Sequence, residues 1–262
     1  MNFFVEGLQG SGKSTLVNRL FEKHPDYRAV REGDYSPVEL SWCAYLDRAV
    51  YGEILEKYPD LRAQIEGKSV AEDDRVIVCY TKVSTDNRAF YKDLEQYEIY
   101  NGRVSNDAFR EITLRRFRRW NGDGMIFECS LFQNIVEDMI LFRDAPDEEI
   151  MDFYRQVSGA LADKPFHILY LQADDIASNI NVIRKERSDG QGNEMWFPLM
   201  LHFFDESPHA KRRGLAGEAA LLEHFRHRQD LELRLCREIF PGRYTVLKSK
   251  AYRDADYPFC QV

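Results

Sequence analysis

Residues 7–15 read "GLQGSGKST". Gly7, Gly12, Lys13 and Ser14 satisfy the spacing GxxxxGK[ST], and what lies on either side decides how that spacing is read. Before it, "NFFVE" (2–6) is a short apolar run that predicts a buried strand. After it, "STLVNRLFEK" (14–23) puts Leu16, Leu20 and Phe21 on one helical face. Strand, glycine loop and helix in that order make a cradle for phosphates. Gly7, Gly10 and Gly12 let the backbone bend until successive N–H groups converge on one anion. The helix N-terminus adds partial positive charge. With Ser11 and Thr15 completing the loop, Lys13 is expected on the β- and γ-phosphates and Ser14 on Mg²⁺. The expected ligands are therefore ATP and Mg²⁺.

Outward from the loop, strands and helices alternate. "YRAVRE" (27–32) reads as a second strand, and "PVELSWCAYLDRAVYGEILEKYP" (37–59) is helical in period with Pro37 at its start. Between 61 and 105 periodicity does not arbitrate: "RVIVCYTKV" is a strand or a buried helix, and the segment reads as a helical or mixed insertion. "NGRVS" (101–105) is a turn, followed by a helix capped by Ser105 or Asn106 and ended by Asn121-Gly122. "MIFEC" (125–129), "FHILYL" (166–171) and "YTVLK" (244–248) read as strands. Helices are expected at 131–143, 147–162, 175–187 and 217–240. The pattern predicts an α/β fold over the whole chain, 1–262 as a single domain: about five parallel strands with helices on both faces, in three layers.

Composition narrows the partners. Apolar residues make up 44% of the chain, yet no run approaches the ~20 residues a bilayer span needs, so no membrane is expected. "MNFFVEGLQG" lacks a basic region before its apolar residues, which argues against a secretory leader. Cys43, Cys79, Cys129, Cys236 and Cys260 are scattered without a CxxC pair, the usage of a reducing cytoplasm rather than of a zinc site. A net charge of -8 disfavours nucleic acid as the partner. What remains is a nucleoside triphosphate and a small-molecule acceptor, with a homodimer left open.

Signatures of other nucleotide-driven classes are missing. The chain has no NKxD base-reading motif of a GTPase and no LSGGQ of a transporter ATPase. A motor-type ATPase needs an acid after an apolar strand, and only "ILYLQADD" offers one, at Asp174 and Asp175, where a helix cap is the competing use.

Other residues resemble the nucleoside and nucleotide kinases that share this phosphate loop, a group that includes thymidylate kinase and the deoxynucleoside kinases. "DDIASNINVIRKERSDGQGNE" is similar to their lid: Arg184, Lys185 and Arg187 close a helix and lead into a polar segment, with 184–214 as the lid-like stretch. "FECS" (127–130) resembles the Glu-Arg-Ser of that group, with Cys129 in place of the arginine. "REGDYSPVELSW" (31–42) resembles the acidic end of their second strand, with Gly33 where a proline is expected. The resemblance implies a P-loop NTPase fold, lid arginines Arg184 and Arg187 on the phosphates, and Glu32 as catalytic base with Asp34 as a second candidate. Glu128 would hold Mg²⁺ or be the base itself. The alternatives are an ATPase that drives a partner, and a kinase of another small molecule such as an antibiotic or sugar on the same fold.

A Glu ending an apolar strand, as Glu128 does, is costly without a partner or a purpose. In the helix at 106–120, Phe109, Ile112, Phe117 and Trp120 share a face. Arg115 and Arg118 point to solvent, Arg119 lies at the edge, and Arg116 falls inside the apolar arc, where it must pair or bind an acceptor. Tyr35, Trp42 and Tyr45 are candidates to stack on an acceptor ring, against ordinary core packing. His167 and His202 read as core histidines.

Overall fold

The computed structural model describes residues 1–253 and 256, so Cys260 lies outside the described residues. Along the chain run β1 (Asn2–Gly7), α1 (Lys13–Lys23), β2 (Arg28–Val30), β3 (Ala44–Asp47), α2 (Arg48–Lys57), α3 (Arg62–Gly67), β4 (Ser69–Glu72), β5 (Arg75–Val78), α4 (Arg88–Glu95) and α5 (Asn106–Arg119). They continue with β6 (Met125–Glu128), α6 (Gln133–Leu141), α7 (Asp147–Ala160), β7 (Phe166–Gln172), α8 (Ile176–Glu186), α9 (Trp196–Asp205), α10 (Pro208–Arg213), α11 (Gly217–Glu238) and β8 (Tyr244–Lys248). They fall into two compact units, one made of Met1–Ala29 and the chain from Asn121, the other of Val30–Trp120. The sequence pattern predicts one domain with an insertion at 61–105. The second unit is wider because its sheet recruits β3, well before residue 61.

The first unit is built on a five-stranded parallel sheet flanked by helices, in the order β2-β6-β1-β7-β8. β1 is central. Its register pairs Phe3 with Ile126 on one side and with His167 on the other. Side chains alternate across such a strand. Phe3 and Val5 join Leu16, Val17, Leu20, Ile126, Leu169 and Leu171 in one cluster under α1. Phe4 turns to the opposite face and stacks on Phe127 with ring centres 4.8 Å apart. Phe21 was expected on the inner stripe of α1, but it is exposed and Val17 takes that place.

The second unit holds an antiparallel sheet, β3-β5-β4, whose core includes Leu46, Ile54, Ile65, Val76, Val78 and Phe90. Here the long helix expected at 37–59 is corrected. Residues 37–43 form neither helix nor strand, Ala44–Asp47 is a strand paired to β5, and only Arg48–Lys57 is helical. Asp47 marks the change by accepting from the Val50 N–H at 2.8 Å, an N-cap bond. Arg115 is also corrected. It is half-buried and donates to the Tyr45 hydroxyl at 2.6 Å instead of standing in solvent. Tyr45 is thereby committed to structure.

Among the described residues no helix is long and apolar enough to cross a membrane.

Candidate functional site

The chain leaves β1 toward β2 on one side of the sheet, and leaves β7 toward β8 on the other. β1 and β7 are hydrogen-bonded neighbours, so the order reverses between them. In open α/β sheets ligands bind beyond the C-terminal strand ends at such a point. The glycine loop follows β1 there. Gly7, at φ 135°, has no room for a side chain: a Cβ would meet the Leu171 carbonyl oxygen at 2.5 Å. Gly10 is pressed against Ile183 of α8 in the same way, at 3.0 Å. Gly12, at φ 95°, is the N-cap of α1 and offers that helix no side-chain cap, and the first turn carries no acid. The leading N–H groups of a helix have no partner within it. α1 thus presents its donors and dipole at the loop without competition.

Lys13 is buried and bends back across the loop. Its ammonium donates to the carbonyls of Gly7 at 3.0 Å and Leu8 at 2.7 Å. Ser14 donates to Glu128 Oε1 at 2.5 Å, so the end of β6 meets the start of α1. Ser11 is wholly buried, and its hydroxyl stands 3.0 Å from where a Gly7 Cβ would be. Thr15 is exposed one turn along. After β8, the Ser249 hydroxyl donates to the Ser11 carbonyl at 2.9 Å, and Lys250 lies beside Gly12. Nothing in "KSKAY" signals that approach, which only the sheet order creates.

Behind the loop lies a buried polar cluster that sequence patterning missed. Arg228 of α11, fully buried, donates to Gln9 Oε1 at 2.6 Å and pairs with Glu137 of α6 and with Glu232 at 3.3 Å. The Gln9 amide donates to Glu137 at 3.1 Å, and the Gln9 carbonyl accepts from Asn179 of α8 at 2.8 Å. Glu232 accepts from the Tyr170 hydroxyl at 2.7 Å, and burial raises its pKa against the pull of Arg228. His224 stands 3.5 Å from Glu137, but burial pulls its pKa down to about 3, so it is neutral and the contact is no ion pair. Glu6 accepts from the N–H groups of Leu131 and Gln133, yet burial pushes its pKa up to about 8. A Glu at the end of "NFFVE" carries the same signal as Glu128.

Arg184 makes a bidentate pair with Glu194, at 2.7 and 3.0 Å, donates to Glu218 at 2.9 Å and lies 3.9 Å over the Phe197 ring. Arg187 is exposed beside Trp196. The polar stretch between them and α9 is a closed turn, in which Asp189 accepts from the N–H groups of Gln191 and Asn193. Asp175 caps α8 through Ser178, at 3.1 Å to its N–H and 2.6 Å to its hydroxyl. Asp174 pairs with Lys248. His167 is a buried histidine as expected, bonded to Thr245 at 2.8 Å and pulled down to about 4 by burial. His202 is exposed, so its reading as a core histidine is corrected: α9 turns it outward.

The second unit carries the other candidates. Glu32 is exposed and accepts from the Trp42 indole N–H at 3.0 Å. Trp42 is itself 47% exposed at φ 62°, a strained backbone for a bulky residue. The residue is thus neither buried in the core nor relaxed in its backbone. Asp34 is tied down by the Arg31 N–H at 3.0 Å and by Lys82 at 3.2 Å. Arg116, buried on α5, pairs with Glu72 and donates to the Ser36 carbonyl, while Tyr35 donates its hydroxyl to the same Glu72. Burial and that carboxylate push the Tyr35 pKa up to about 12. Arg116 and Tyr35 therefore complete a structural cluster. Glu39, also unread in the sequence, is buried near Tyr100 with its pKa pushed up to about 7 by burial.

Compared with known proteins, the chain matches no family model and no curated sequence.

Proposed function

We propose that the chain is an ATP-dependent phosphotransferase of the P-loop nucleoside and nucleotide kinase type. It would move the γ-phosphate of ATP to a small acceptor, with nucleosides and nucleotides the first candidates. One observation carries the reading. A tight glycine loop ends on an uncapped helix start, with Lys13 folded across it and Ser14 held 2.5 Å from Glu128. Phosphoryl transfer asks chiefly for positioning and for charge placed where negative charge develops. The leading N–H groups of α1 would bind the phosphates, and Lys13 would exchange its two carbonyl bonds for phosphate oxygens.

Ser14 and Glu128 offer two adjoining hard oxygen donors, the kind Mg²⁺ takes, so these residues fit the ion. Bound there, it would neutralise charge on the transferred group. Of the two acids in its unit, Glu32 is the one we assign to take a proton from an acceptor hydroxyl, since it accepts from the Trp42 indole N–H while Asp34 is already held by Lys82 and by a backbone N–H. Arg184 must leave Glu194 and Glu218 to reach a phosphate. Arg187 breaks no ion pair on the way, so it is the readier lid cation among the described residues.

The ATPase alternative has less support, because Asp175 is spent on a helix cap and Asp174 on Lys248. The test is transfer from γ-labelled ATP to a panel of nucleosides, nucleotides, sugars and aminoglycosides. Label in one acceptor class, lost in Lys13→Ala and reduced in Glu32→Gln, is the expected result. ATP hydrolysis that no acceptor stimulates would overturn the proposal.

A further inference from the structure

Cys43 and Cys79 sit where the paired strands β3 and β5 end. Ala44 opposes Val78 in that antiparallel register, so Cys43 opposes Cys79 one step beyond. Neither takes part in the ladder. The Cys43 N–H goes to the Leu40 carbonyl at 3.2 Å and the Cys79 N–H to the Lys68 carbonyl at 2.9 Å. Opposed antiparallel residues that exchange no ladder bonds are the closely spaced kind, about 4.5 Å between Cα atoms, within the range a disulfide spans. Their sulfurs are 3.7 Å apart, with the Cys43 thiol donating to Cys79 Sγ. Cys129 and Cys236, the other described cysteines, lie in the first unit and are buried there.

We propose that Cys43 and Cys79 form a site of reversible oxidation by hydroperoxides, in which Cys79 attacks the peroxide and Cys43 then closes an intramolecular disulfide. Cys79 keeps 4% of its surface exposed and Cys43 none, so a small peroxide meets Cys79 first. The hydrogen bond from Cys43 favours thiolate at Cys79 and, helped by Lys82 and Lys68, outweighs the opposing effects of burial and Asp34. The same bond and burial hold Cys43 as the thiol. The Cys79 thiolate attacks one peroxide oxygen, the O–O bond breaks, and the leaving hydroxide or alkoxide takes a proton to give water or alcohol. The product is a sulfenic acid at Cys79. Cys43 sulfur then attacks the Cys79 sulfur, the S–O bond breaks, and hydroxide leaves with the Cys43 proton as water. Two thiols have been oxidised by two electrons and one peroxide reduced. The sulfurs need to close from 3.7 Å to about 2.05 Å, a side-chain rotation at already opposed positions. The bond would fix the backbone one residue from Trp42, whose indole holds Glu32.

The experiment uses the full chain, treated with hydrogen peroxide, alkylated and mapped by mass spectrometry. A Cys260→Ser variant is run in parallel to remove that thiol. The expected result is a linked peptide pair joining Cys43 to Cys79, two hydrogens lighter, in both proteins, and reversed by dithiothreitol. In Cys43→Ser, Cys79 should stop at a sulfenic acid trapped by dimedone. In Cys79→Ser, Cys43 should stay unmodified. Wild-type protein that keeps both thiols, joins either to another cysteine, or runs Cys79 on to sulfinic acid without the linked pair overturns the proposal, whatever the variants do.

Discussion

At Gln9 the glycine loop is held from behind by groups that belong to three helices. Arg228 and Glu137 grip its amide and Asn179 its carbonyl. A fully buried Arg–Glu cluster is a poor way to gain stability, because the desolvation of its charges rivals their attraction. It grips the loop at Gln9, and that hold gives it a positional value. Gln9→Ala removes that hold without stranding a charge. Nucleotide affinity in a titration with ATP should fall about tenfold, ~1.4 kcal/mol, at an unchanged melting temperature. Arg228→Met strands two carboxylates, Glu137 and Glu232, and should cost about 3–5 kcal/mol in urea unfolding. Lys13→Ala should lower transfer about 10²–10³-fold, because in the proposed site its charge would act on the phosphates. A Gln9→Ala protein that binds ATP as the wild type does would show that the cluster serves packing only.

At the scale of elements, α8 joins the end of β7 to the lid-like segment, and its start discriminates between functions. Asp175→Ala removes the N-cap of α8. Transfer to an acceptor should survive it, with only the denaturation midpoint shifted. An acceptor-independent hydrolysis that disappears with Asp175 would favour an energy-coupling ATPase. The same elements show what a sequence can disclose. The β1–loop–α1 passage was legible because strand, glycines and helix are local signals at fixed spacing. So was the cap at Asp175, where a short polar side chain precedes an apolar periodic run. β3 was not legible: "AYLD" continues the helical spacing of the residues after it, and only β5, about thirty residues away, pulls it into a sheet. α9 escaped because "WFPLMLHFF" is apolar on every side and carries Pro198, which blurs any period. Gln9, Glu137 and Arg228 escaped for a different reason. Each is an ordinary polar residue in its own helix or loop, and the sheet order alone brings them together.

Over the whole molecule, buried titratable groups set an unusual response to pH. Two kinds of group oppose each other. His167 and His224 are pulled down to about 4 and about 3, so between those values and their ordinary 6.5 the unfolded chain binds more protons. Their contribution is complete above pH 6.5 and is lost as pH falls. Glu6 and Glu39 are pushed up, to about 8 and about 7, so the folded chain binds more protons from the ordinary 4.5 up to those values. Their contribution is complete below pH 4.5 and is lost as pH rises through 7 and 8. Between pH 4.5 and 6.5 the histidines and carboxyls largely offset one another. Above pH 6.5 the two histidines complete their titration in the unfolded chain, and among these four groups the carboxyls come to dominate. Stability should therefore decline from pH 6.5 to 8, by up to about 1.4 kcal/mol per pH unit from Glu6 alone. Urea unfolding followed at intervals across that window would measure the slope. Glu39→Gln should flatten the part below pH 7 and leave the rest, because Glu39 has by then lost its excess proton while Glu6 has not. A stability that stayed level or rose from pH 6.5 to 8 would mean that Glu6 is ionised throughout. Its bonds from the Leu131 and Gln133 N–H groups would then outweigh its burial.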